Sequence, residues 1–214
     1  MRKLLSAALA LCLALSLCVP AFAAGNSLDN FRKTASYSNQ FKDVAANHWS
    51  APSVKTCYEY GLMQGTAKGF HPNGTLTVAE TLVMADRVHE IYTTGASTLQ
   101  NGTPWYQPYV DYALAQGIIQ SGDFTDYTKA ATRAEMAYIF CHALPESALP
   151  AINNVTALPD VDASTIHSAE IFTLYNAGVL TGSDIYGSCK PGTTITRAEA
   201  AAIIARVAIG SAKA

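Results

Sequence analysis

Thr196-Arg197-Ala198-Glu199 runs straight into the apolar stretch Ala200 to Val207, and the same frame occurs twice earlier in the chain. Thr132-Arg133-Ala134-Glu135 precedes Met136 to Phe140, and Thr77-Val78-Ala79-Glu80 precedes Thr81 to Val88. A threonine followed three residues later by glutamate, ahead of an apolar run, is a helix-start signature. The hydroxyl accepts from the third backbone N–H, and the carboxylate returns to the N–H of the cap. Thr and Glu therefore have a structural explanation. The arginine does not, because a helix N-terminus carries roughly half a positive charge and a cation in its first turn is disfavoured by a few tenths of a kcal/mol. Arg133 and Arg197 stand against that gradient, which asks for an anion.

Outward from these tetrapeptides the chain repeats itself. Phe41-Lys42-Asp43-Val44 opens a first unit, followed by Trp49 and by Val54, Cys57 and Tyr58 at helical spacing, then Gly61-Leu62-Met63-Gln64-Gly65. Leu158-Pro159-Asp160-Val161 opens a third, with a helix over 169–177 and then Gly178-Val179-Leu180-Thr181-Gly182. Between them, Trp105 and Tyr106 begin a helix carrying Tyr109 and Tyr112, then Gly117 to Gly122. From the first glycine to the capping threonine the separations are 16, 15 and 18 residues, whereas the caps lie 55 and 64 apart. The unit is constant and the linkers vary. Each reads as helix, glycine-bounded loop, helix, too short to bury its own apolar face, so three must share one core.

The N-terminus is an export signal by pattern: Arg2 and Lys3, an apolar run from Leu4 to Val19, and Ala21-Phe22-Ala23 as the cleavage site, giving a signal peptide over 1–23. No membrane span is then expected in the mature chain, and residues 24–40 read as a polar leader. Of 14 basic side chains 12 remain against 16 acidic, a balance of −4, which excludes the clustered basic surface that nucleic acid or anionic lipid requires. Three cysteines remain. Cys57 and Cys141 fall in apolar helical runs and read as buried thiols, and no disulfide pairing of Cys57, Cys141 and Cys189 follows from the spacing.

No catalytic constellation is legible. The five histidines are scattered without metal-ligand spacing, and Cys141 and His142, adjacent on a helix, point about 100° apart. There is no nucleophile elbow and no phosphate-binding glycine loop. The expectation is a non-enzyme without cofactor or metal.

The Asp-Val openings, Trp49, the three Gly-apolar-apolar loops and the Thr-Arg-Ala-Glu tetrapeptides together resemble the S-layer homology (SLH) domain, over about Phe41 to Val207. The resemblance implies three tandem repeats, at 41–94, 95–150 and 151–214 with a short tail. It also implies a mainly α, pseudo-three-fold, three-pronged bundle. Its implied function is attachment to the cell wall and cell surface, through grooves between repeats that bind secondary cell-wall polysaccharide linked to peptidoglycan. The family's ligand is often anionic, with a pyruvate ketal, which would answer the arginine question: Arg133 and Arg197 each take one carboxylate at a helix N-terminus. Val78 deprives the first unit of that fork.

Four more residues are candidate sugar contacts, each with a plainer role beside it. Trp49 reads first as a core plug and second as a sugar platform, and Trp105 offers a further flat face. Asp43 and Asp160 read first as turn or capping residues. Tyr109 and Tyr112 share a helical face and read as core. A reading of a different class makes the chain an envelope assembly protein whose grooves hold a protein partner. Proteins with such a module usually carry a large region beside it, and only the leader and a few C-terminal residues lie outside the repeats here.

Overall fold

A computed structural model describes residues 25–210. The export signal at 1–23 lies outside the described residues. Each tetrapeptide closes a full capping box. Thr77, Thr132 and Thr196 accept from the N–H of Glu80, Glu135 and Glu199 at 3.2, 3.2 and 3.3 Å, and the three glutamates accept from the threonine N–H groups at 2.8, 2.8 and 2.9 Å. They start α2 (Val78–Thr94), α4 (Arg133–His142) and α6 (Arg197–Ala208). The first helices of the units are α1 (Ala51–Glu59), α3 (Gln107–Ala115) and α5 (Ser168–Asn176). Pro52 and Pro108 preset the first turn of α1 and α3, where no intrahelical N–H bond is lost. The chain is mainly helical, and no strand occurs among the described residues.

The glycines after the first helices are held left-handed, with φ of 70° at Gly61, 72° at Gly117 and 69° at Gly178. That conformation lets the next two N–H groups turn back onto one carbonyl, that of Cys57, Ala113 and Leu174 respectively. A side chain at these positions would oppose the turn.

The units are joined through the segments just ahead of the caps. Leu76 N–H donates to Ile195 O, Ile195 N–H to Ala131 O, and Ala131 N–H to Leu76 O, a closed cycle of 3.2, 3.0 and 2.8 Å bonds. All three side chains are buried. The next N–H groups run around the three units in the opposite sense. Those of Val78 and Ala79 donate to Lys129 O and Tyr127 O, those of Arg133 and Ala134 to Thr193 O and Pro191 O, and those of Arg197 and Ala198 to Gly74 O and Pro72 O. The first two helical N–H groups of each capped helix are therefore satisfied by another unit's loop, and the third by its own threonine.

Helix packing keeps the rotation: α3 rests on α2, α5 on α4 and α1 on α6, with α4 also against α2. The contact of α1 with α6 is close because α6 offers Ala201 and Ala205, both buried, and the Cys57 thiol donates to Ala201 O at 3.3 Å. One continuous core runs through all three units, from Leu62, Phe70 and Leu82 through Ile118, Met136 and Ile139 to Leu174 and Ile204. Each such side chain contributes about 1.5–3 kcal/mol on burial.

The leader is not a loose tether. Ser27 N–H and Asn30 Nδ2 donate to Tyr92 O near the end of α2, Thr34 and Ala35 N–H to Glu59 O at the end of α1, and Phe31 is buried. It supplies donors that helix ends lack. Polar composition hid this because much of the anchoring runs to backbone carbonyls, which leave no side-chain pattern.

Candidate functional site

The arginines that the tetrapeptides single out bind protein first. Arg133 is 6% exposed. Its Nε donates to Cys189 O at 2.6 Å and its Nη1 to Glu199 Oε1 at 3.1 Å, so a second-unit side chain holds a third-unit loop and helix. Arg197 reaches into the first unit: Nε donates to Phe70 O and Nη2 to Gln64 O, both at 2.7 Å, and its guanidinium lies 4.9 Å from the Phe70 ring centroid. Burial lowers the Arg197 pKa from its usual value, and the nearby Glu80 and Asp43 oppose that. The helix N-termini are not open as the sequence leads one to expect: with the leading N–H groups taken by loop carbonyls, an incoming carboxylate meets guanidinium and not backbone.

Asp43 and Asp160 are loop staples. Asp43 accepts from Phe70 and His71 N–H at 2.9 and 2.6 Å, and Asp160 from Cys189 and Lys190 N–H at 2.8 and 2.7 Å. Burial pushes the Asp43 carboxyl up, but the two N–H bonds outweigh it and hold it below the usual range. Each unit opening thus clamps the loop that the neighbour's arginine also grips.

Trp49, just ahead of α1, departs from the core reading: it is 61% exposed and lines a groove of about 390 Å³ formed with α6 and the loop 180–183, the α1/α6 groove by the two helices it adjoins. Arg133, Glu199 and Arg206 form the charged side of that groove, and Thr181 and Ser183 its polar loop. Arg206 is fixed by Val179 O and Thr181 Oγ1 at 3.3 and 3.4 Å, and burial lowers its pKa. The groove so combines an exposed indole face, two guanidinium groups and hydroxyls, the elements for an anionic sugar. Arg206 was missed by sequence reasoning although a signal exists: it stands ten residues after its capping threonine, as Arg87 does in the first unit, with His142 in the second.

Between α2 and α3 lies a more polar cleft of about 520 Å³, lined by Gln64, Arg87, Ser97, Gln100, Asn101 and Tyr109. Its linker wall is rigid because the buried Glu90 accepts from Ser97 Oγ and from Thr98 N and Oγ1 at 2.8–3.1 Å. Trp105, 41% exposed, stands edge-on to Tyr106. Tyr109 is buried as expected, while Tyr112 is half-buried and bonded to His89 Nδ1 at 2.7 Å. Cys57, Cys141 and Cys189 are free thiols, with Cys141 half-buried and not fully buried. Among the described residues no cluster of His, Cys, Asp or Glu is placed to hold a metal, and no helix is long and apolar enough to cross a membrane.

Residues 40–82 match the family model of the S-layer homology domain. The chain is 25% identical over 177 residues to the S-layer protein sap of Bacillus anthracis, covering 80% of this chain and 22% of that one. It is 29% identical over 143 residues to the surface-layer 125 kDa protein of Lysinibacillus sphaericus, 61% of this chain and 11% of that one. An amylopullulanase of Thermoanaerobacterium thermosulfurigenes is 29% identical over 126 residues, 54% and 7% of the respective chains. The chain thus spans less than a quarter of the length of these relatives. The first capping box and the first glycine turn lie within the stretch 40–82, which carries the match to the S-layer homology domain, and the rest of the chain repeats both features.

Proposed function

We propose that the exported chain attaches to the cell envelope by binding an anionic cell-wall polysaccharide in the α1/α6 groove, without catalysis. The three helix pairs act as repeats of one pseudo-three-fold bundle, a reading supported by the cyclic hydrogen bonds through Leu76, Ala131 and Ile195. In the groove Trp49 offers its face to a sugar ring, Arg206 and the remaining donors of Arg133 take a carboxylate such as a ketal pyruvate, and Thr181 and Ser183 meet hydroxyls. Arg87 lines the α2/α3 cleft and serves it in the same way, and Arg197 holds Gln64 O of the cleft wall. The observation that carries the proposal is the exposed Trp49 beside a nearly buried, already oriented Arg133. Asp43 and Asp160 act indirectly, by fixing the loops that form groove walls.

The test uses Trp49→Ala with Arg206→Gln, because neither residue is a core side chain. Sedimentation of the mature chain with purified wall polysaccharide should fall to background while the far-UV CD stays that of the parent. Undiminished sedimentation overturns the proposal. A second reading, attachment to an envelope protein, draws on Ile185 and Tyr186, which are 92% and 76% exposed at the tip of a tight turn closed by Gly187 N–H on Asp184 O. Retention on wall fragments stripped of polysaccharide, lost with Ile185→Ser and Tyr186→Ser, favours that reading.

A further inference from the structure

The three helix seams are built alike but are not filled alike. Six residues after the capping threonines stand Val83, Tyr138 and Ala202, and ten after stand Arg87, His142 and Arg206. At the α1/α6 seam Ala202 extends one methyl, and the 390 Å³ groove opens over it. At the α4/α5 seam the same position carries the phenol of Tyr138, which stacks on the His167 imidazole with centroids 4.4 Å apart and planes 23° from parallel. His142 lies 4.7 Å from the same ring, and the Tyr138 hydroxyl donates to Asp123 Oδ2 at 2.5 Å. Asp123 belongs to the loop after Gly117, whose counterpart after Gly178 forms the polar wall of the open groove.

The same seam has lost its guanidinium groups. The first unit's tetrapeptide supplies it with Val78, wholly buried, where Arg133 serves α1/α6, and His142 replaces Arg206. The His142 Nδ1 is engaged with Tyr138 O of its own helix at 2.8 Å. A sugar entering here would have to break the Tyr138–Asp123 bond and the stack with His167, and would find no guanidinium in return.

We infer that Tyr138 is a built-in plug that closes the α4/α5 seam to wall glycan, so that the chain's binding capacity is confined to the α1/α6 and α2/α3 seams. The inference rests on the glycan reading for its capacity claim, whereas the plug itself stands on geometry.

Two measurements on the mature chain separate them. Titration calorimetry with pyruvylated N-acetylmannosamine counts sites on the parent and on Tyr138→Ala/Val78→Arg, which removes the plug and returns one of the two guanidinium groups of the open seam. The double variant should gain one site over the parent, and Tyr138→Phe, which keeps the stack, should gain none. An unchanged count in the folded double variant overturns the capacity claim. Independently of any glycan, diethylpyrocarbonate labelling read by mass spectrometry should modify His167 slowly in the parent and, in Tyr138→Ala, at a rate close to that of the exposed His71. An unchanged His167 rate in Tyr138→Ala overturns the plug. A parent that binds no sugar, with His167 unmasked as expected, overturns the glycan reading and the capacity claim while leaving the plug intact.

Discussion

Asp86 is a carboxylic acid in the wrong place, and replacing it should stabilise the fold in a strongly pH-dependent way. It stands nine residues after Thr77, where the other units have Cys141 and Ala205. It is wholly buried, both its oxygens lack a hydrogen-bond partner, and burial, reinforced by the charge of Glu90 one turn on, raises its pKa to about 8. The unfolded chain titrates the same group near ~3.9. Its folded pKa being the higher one, the folded state holds the proton more tightly. Stability is full below about pH 4, declines by about 1.4 kcal/mol per pH unit, and levels off above about pH 8. At pH 7 the accumulated cost is about 4 kcal/mol, a large share of a typical domain's stability. Asp86→Asn removes the ionisation and leaves the site as poorly paired as the neutral acid does. Urea unfolding of parent and variant should therefore give equal stabilities near pH 4 and a difference that widens to several kcal/mol in favour of asparagine by pH 8. Asp86→Ala, matching Ala205, should show the same slope. A difference independent of pH between 4 and 8 would refute the argument, since no other group changes between the two proteins.

Three further outcomes follow from contacts elsewhere in the molecule. Arg197→Ala should destabilise by about 2–3 kcal/mol in urea through loss of the bonds to Phe70 O and Gln64 O and of the stack on Phe70, with Arg197→Lys recovering less than half because an ammonium lacks the fork. Glu90→Gln should speed amide exchange at Thr98 and Leu99, which donate to its carboxylate, while the exchange of Leu76 and Ala131 in the central cycle stays at the parent rate. With a disulfide reagent at pH 8, Cys141 should react before Cys57: burial pushes the Cys141 thiol up to about 11, but Cys57 is fully enclosed and pushed higher.

The helical frame was legible because its determinants are local. A capping box spans four residues and a glycine stop one, so Thr196 with Glu199 and the left-handed Gly178 announce their helices without knowledge of the rest. The export reading rests on residues outside those described. Exposure was less legible. Trp49 read first as a plug, yet it is 61% exposed and lines the groove over Ala202, because whether an indole beside a helix is covered depends on residues far away in the chain. Arg206 carried a faint signal in its fixed offset from the cap, visible once the three units are superposed by number. The leader carried little beyond the buried Phe31, because most of its hydrogen bonds go to the backbone carbonyls of Glu59 and Tyr92.

The arginine of the tetrapeptide is the point at which local reasoning was right about the problem and incomplete about its solution. A cation in the first turn of a helix needs nearby negative charge. The fold supplies it in carbonyl oxygens: Pro72 and Gly74 on the leading N–H groups of α6, and Gln64 and Phe70 on the guanidinium of Arg197. The latter two partners are 133 and 127 residues away in the chain, beyond the reach of any pattern within one unit. Arg133 does the same for the loop at Cys189 and adds Glu199. The arginine therefore fastens each loop to the neighbouring unit before any ligand arrives, and the same fastening aims its remaining donors at the groove. Removing it would loosen the groove wall and take away the charge at once, so loss of binding in Arg133→Ala would not tell the two roles apart. Trp49 does separate them, because it lines the groove and carries no charge, while the cycle through Leu76, Ala131 and Ile195 holds without it.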